Sequence, residues 1–167
     1  MPEADGQASP ITVFSIAEHY LGVGELPGDQ DHPLIRWWLA ESGGGLQAHD
    51  EIPWCSAFCA AQARLARLPI PEHPLRARSW LTVGKPIELG WAAVGWDVVI
   101  LMRGGGGQPG PDVLDAAGHV GFFAGWGEPL TKDATSSILV LGGNQSNRVT
   151  TERYPISRLL GVRRLRT

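Results

Sequence analysis

Two cysteines and five histidines are the residues of this 167-residue chain best suited to covalent chemistry, and their settings differ. Cys55 follows a Pro-Trp turn in "DEIPWCSAFCAAQARL" (50–65) and opens an Ala-rich stretch that reads as a helix running to Leu68. A thiol attacks as its thiolate, so near neutral pH it needs positive charge close by. A helix N-terminus supplies about half a positive charge and unpaired N–H groups aimed at the sulfur. Pro53 cannot sit beyond a first helical turn, which fixes the helix start near Cys55. Cys59 lies one turn deeper, where that field has faded, and reads as a small buried residue. At i and i+4 the two Cβ bonds run nearly parallel, a poor arrangement for a disulfide. No CxxC, HExxH or HxxxH spacing occurs, so neither a metal site nor a cofactor is expected.

A nucleophilic thiol also needs a base. His19 lies in an acidic helix, and His32, His49 and His73 lie in turns. His119 differs, because "AAGHVGFFAGW" places it at the first position of a strand after a flexible glycine. From there an imidazole can reach across a groove toward a helix start, and Gly121 would leave room for a substrate. Taken alone, such a histidine is more often a half-buried strand residue, but its pairing with Cys55 in a helices-then-strands layout favours the base. The next strand, "ILVLGGNQSN", ends at Asn144, whose amide oxygen could accept from the far ring nitrogen and fix the tautomer. Gln145, on the other side of the strand by alternation, is the weaker candidate. Trp54 and Trp80 are candidate groove walls, although tryptophans in a small domain also fill the interior. Ser79 and Glu25 either touch substrate or fix turns. The Cys55 N–H is the natural first oxyanion donor, with Gln47 and Asp50 shaping the turn before it.

Helices must come first to position these groups. Residues 12–21 and "HPLIRWWLAES" carry helical spacing, the latter opened by Pro33 and stopped by the Gly43–Gly45 run. "PLRARSWLTVG" reads as a further helix or helical turn. From residue 97 the chain changes to short β-branched and aromatic runs: "DVVILMR", "HVGFFAGW", "SSILVLGGN", "RVTTERY" and "LLGVRRL". Helices followed by strands predict an α+β fold, N-terminal helices packed on one face of an antiparallel β-sheet. "GGGGQPGPDVLDAAG" (104–118) is a surface loop between the first two strands. Residues 1–11 are expected to be poorly ordered and 12–167 to form one domain.

Composition bounds the partners. The chain is 43% hydrophobic and 19% charged, an ordinary globular balance, and no apolar run reaches membrane-helix length. The acidic N-terminus lacks the pattern of a secretory signal, so synthesis in the cytoplasm without a signal peptide is expected. Residues 1–54 hold nine acids against the single Arg36, a net −8, while the remainder holds thirteen bases against eight acids, a net +5. This favours an anionic partner for the C-terminal half, although arginines spaced along strands more often make solvated faces. Nucleic acid is not expected, because no aromatic-basic or recognition-helix pattern appears.

The order Cys55, His119, Asn144 is papain-like. With "LGVGELPG", "DEIPWCSAF", "ARSWLTVGKP", "GHVGFFAGW" and "VLGGNQSNRVTTERYPISRLLGVRR" in sequence, residues 12–165 resemble the compact cell-wall hydrolases of the NlpC and CHAP type, in particular a phage-associated subfamily. The resemblance implies a compact papain-like fold and a cysteine endopeptidase or N-acetylmuramoyl-L-alanine amidase that cuts peptidoglycan amides. Cys55 would then be the nucleophile, His119 the base and Asn144 the third residue. Trp54, Trp80 and Ser79 would face a peptidoglycan stem peptide in the periplasmic or extracellular wall. Other readings are a secreted antibacterial toxin held by an immunity protein, a non-catalytic wall-binding module, and an intracellular thiol acyltransferase or deamidase.

Overall fold

The computed structural model describes residues 10–45, 53–104, 106–128 and 136–166. Helix α1 (Val13–Glu18) starts on a reciprocal cap, in which Thr12 and Ser15 each accept the other's backbone N–H. Pro33 opens α2 (Pro33–Leu39), where the His32 Nδ1 accepts from the Leu34 N–H. The helix widens into a π turn, Ala40–Gly44, in which Gly43 adopts φ 92°. Helix α3 (Cys55–Leu65) is shorter than the expected run to Leu68, because the chain turns back through a left-handed Arg67 at φ 56°. The Leu68 N–H then bonds the Ala63 carbonyl and closes the end.

The strands are β1 (Lys85–Ile87), β2 (Asp97–Met102), β3 (Gly118–Gly127), β4 (Ser137–Gln145), β5 (Arg148–Pro155) and β6 (Leu159–Arg164). They form one antiparallel sheet in the order β1-β6-β2-β3-β4-β5. Helices before an antiparallel sheet give the α+β class. The five expected strands are present, and β1 is an addition that the sequence pattern does not disclose.

Helix α3 lies against β3 and β4. Its alanines bring the helix backbone close to the sheet, and Ala57, Phe58, Ala60 and Ala61 pack there with Val98, Val120, Phe122 and Leu141. Tyr20, Trp38, Trp54, Phe58 and Phe122 form a chain of ring contacts with centroids 5.0–6.4 Å apart, mostly edge to face. The opposite face is also apolar: Val99, Leu101, Phe123, Ile138, Val140 and Val162 form a second buried cluster. This corrects the expectation of a sheet covered on one face alone. Ile87, Leu89, Ala92, Ile156 and Leu159, from β1, β6 and short 3-10 turns, pack against this cluster. Among the described residues no helix is long and apolar enough to cross a membrane.

Candidate active site

Cys55 is the first residue of α3, and Trp54 before it makes no side-chain cap. The first N–H groups of the helix therefore point outward without an intrahelical acceptor. His119 follows Gly118 at the start of β3, and its ring lies near enough to the Cys55 sulfur for each group to shift the other's pKa. The two residues are only 3% and 7% exposed, so both are buried.

The far side of the ring is held by Gln145. Its Oε1 lies 2.9 Å from His119 Nε2. Its Nε2 donates to the carbonyls of Val140 (3.2 Å) and Thr150 (2.7 Å), which fixes the amide's orientation. The oxygen must then face the imidazole, so His119 Nε2 carries the proton and Nδ1 is left for Cys55. Tyr154 completes the support. Its ring tilts over the imidazole at 5.4 Å, and its hydroxyl donates to the same Gln145 oxygen at 3.2 Å. Burial first, then the nearby Glu152 carboxylate, pushes the Tyr154 phenol well up, which keeps it a donor.

Asn144 is not the residue behind the ring, a correction with a local cause. Between β4 and β5 the pairing slips by one residue after Gly142, and Asn144 adopts a left-handed φ of 56°. A bulge of this kind inverts the alternation beyond it, so Gln145 and not Asn144 turns toward His119. Ser146 and Asn147, at φ 50° and 58°, then form the two-residue turn into β5. Two glycines make the arrangement compact. A Cβ on Gly142 would stand 2.8 Å from Gln145 Oε1, and one on Gly143 would stand 2.6 Å from the Trp54 ring.

The electrostatics favour a charged pair. Burial alone would raise the Cys55 pKa. The hydrogen bond and charge of His119, the Val120 N–H and the Arg103 charge outweigh it and hold the thiol below its usual range. Burial likewise disfavours imidazolium at His119, yet the Cys55 thiolate and Gln145 raise its pKa above the ordinary value. Cys59 behaves oppositely: burial, then the Cys55 charge, pushes it well up, and its thiol faces the Val120 carbonyl at 3.7 Å. Both cysteines are free thiols.

The nominated groove residues lie behind the site. Trp54 is fully buried, with its Nε1 donating to Glu25 at 3.0 Å, and Trp80 is fully buried with its Nε1 on Ser56 Oγ at 2.9 Å. The Ser79 hydroxyl is turned to the His73 and Arg76 carbonyls. All three serve packing and turn geometry, since indole N–H and hydroxyl groups buried this deeply must find internal partners. Gly121 makes room for Val140 of β4, not for a ligand. Gln47 and Asp50 lie outside the described residues.

The 3-10 turn Ala77–Thr82 ties both halves of the site together. Trp80 bonds Ser56, the neighbour of Cys55, while Arg78 bonds the loop that leads into His119. The fully buried Arg78 donates to the carbonyls of Ala117 (2.8 Å), Pro109 (2.9 Å), Gly110 (2.7 Å) and Val113 (3.2 Å). The Gly-rich loop is therefore pinned from beneath, and Gly118 lacks a Cβ where Arg78 Cγ would stand 2.8 Å away. Sequence reasoning missed Tyr154 and Arg78. A register count from the two-residue turn would have placed Tyr154 beside β4, whereas nothing local marks Arg78 as buried.

No group of three or more His, Cys, Asp or Glu side chains among the described residues could hold a metal ion. Compared with known proteins, the chain matches no protein-family model and no curated protein.

Proposed function

We propose that the chain is a cysteine-dependent amide hydrolase on a compact papain-like scaffold, and that its substrate is an amide of the peptidoglycan stem. The observation that carries the reading is the coupling of Cys55, the first residue of α3, to His119, whose far ring nitrogen is held by Gln145. An orienter, a base and a thiol in one line are the parts an acyl-transfer site needs. The peptidoglycan substrate rests on the order of sequence blocks that resemble cell-wall hydrolases.

In the proposed cycle the Cys55 thiolate attacks the amide carbon, and a C–S bond forms as the carbonyl becomes an oxyanion. The Cys55 N–H at the helix start is placed to donate to that oxygen. The C–N bond then breaks, and the amine leaves with the proton held on His119 Nδ1. Water attacks the thioester, giving one proton to Nδ1 as the C–S bond breaks. Thiolate and imidazolium are restored, and a carboxylic acid departs. Gln145 holds the ring throughout and exchanges no proton.

Incubation of purified protein with peptidoglycan sacculi, followed by mass spectrometry of soluble fragments, tests the reading. The wild type should release muropeptides with one new amine and one new carboxylate end. Cys55→Ala and His119→Ala should release none while still sedimenting with the wall. Wild-type inertness toward the wall, with deamidation of a free protein glutamine, would replace the reading with an intracellular thiol deamidase.

A further inference from the structure

Arg103 sits where β2 ends, beside the start of β3. Leu101 pairs with His119 and Met102 with Gly118, so Arg103 is the next residue out along the strand that flanks the imidazole. It is exposed, and it makes no hydrogen bond or ion pair with any described residue. The surrounding arginines are committed. Arg78 holds loop carbonyls, and Arg158 holds the Met102 carbonyl and covers the Tyr154 ring. The Arg103 charge nonetheless reaches both Cys55 and His119. A guanidinium whose donors meet no described residue, and whose charge is felt at a reactive thiol, is a ready fork for a carboxylate. The helix start at Cys55 adds positive potential of its own.

We propose that Arg103 is the anion-recognition residue of the Cys55–His119 site, binding a carboxylate next to the acyl group that Cys55 attacks. Resting on the hydrolase reading, this names the substrate class as amides flanked by a free carboxylate. Neutralising that carboxylate by amidation removes the partner and leaves the chemistry of the amide unchanged.

Alkylation of Cys55 tests the assignment without any amide substrate. Iodoacetate and iodoacetamide both form an S–C bond with loss of iodide from the same thiolate, so their rate ratio cancels any change in thiolate content. The wild-type ratio of iodoacetate to iodoacetamide should exceed that of a free thiol and fall as salt is raised. Arg103→Ala should lower the ratio about fivefold, and Arg103→Lys should retain most of it. In parallel, the wild type should cleave a stem peptide with a free carboxylate faster than its carboxamide, a preference that Arg103→Ala removes. An alkylation ratio unchanged in Arg103→Ala would overturn the proposal. A lowered ratio with no peptide cleaved by the wild type would overturn the hydrolase reading alone and leave the anion-recognition assignment standing.

Discussion

The Gln145 amide oxygen lies 2.9 Å from His119 Nε2 and is shared with the Tyr154 hydroxyl, while its nitrogen is spent on two backbone carbonyls. That amide cannot rotate without breaking several hydrogen bonds at once. One tautomer of His119 is therefore built into the hairpin between β4 and β5.

Gln145→Ala removes the orienter and leaves the Val140 and Thr150 carbonyls without their donor. Turnover of a stem-peptide substrate should drop about 10- to 100-fold, a share of what general acid–base catalysis contributes. Asn144→Gly, at a left-handed position that glycine adopts freely, should change turnover less than about twofold. Steady-state kinetics of the two variants side by side decides between the neighbours.

The charged pair predicts a distinctive reactivity profile. Iodoacetamide reacts with thiolate, so its rate against pH reads the Cys55 midpoint, expected below the free-thiol value of about 8.5. Below that midpoint the thiol is protonated and alkylation slows; above it the rate levels off. His119→Ala should move the midpoint upward, since burial is then opposed only by the Val120 N–H and Arg103. In hydrolysis, activity should fall again at high pH as imidazolium, whose pKa is raised, loses the proton needed by the leaving amine.

Arg78→Ala should destabilise the fold by about 2–4 kcal/mol, because several charge-assisted hydrogen bonds are lost from a buried position. Urea denaturation measures it. Limited proteolysis should show new cleavage between residues 104 and 117, released from their anchor. Arg78→Lys keeps the charge but cannot reach four carbonyls together, and should fall between wild type and Arg78→Ala.

Gly121→Ala puts a methyl group against Val140 and 2.8 Å from the Leu141 carbonyl. A loss of about 1–3 kcal/mol is expected from overpacking at the β3–β4 contact. KM of the folded variant in the proposed hydrolysis should stay unchanged, as this glycine serves the sheet.

The sequence pattern disclosed most of this architecture. Helix α3 and the strands from Asp97 onward carry clear periodicity, and Gly or Pro punctuates their ends. β1 escaped because three residues containing Pro86 give no alternation to count. The pairing of Cys55 with His119 was legible from helix start and strand start together. Gln145 was not, because alternation assigns it the wrong side unless the bulge after Gly142 is known. Trp54 and Trp80 suit a groove wall and a core alike, and only their buried indole partners separate the two.

The segment around Gly24 has a consequence for how the molecule behaves in company. Gly22 and Val23 exchange backbone bonds with Val149, and Gly24 and Glu25 run beside Arg148 and Asn147, along the outer side of β5. At the opposite rim, β1 offers only three residues, one of them a proline. The start of β5 and the β1 rim are thus poor templates for a neighbouring molecule's strand. A side chain at Gly24 would meet Arg148 Cγ at 2.6 Å and the Asn147 carbonyl at 2.9 Å, lifting the guard strip away. Such a chain would extend the open edge of β5 back to its first residues and invite copies to stack edge to edge.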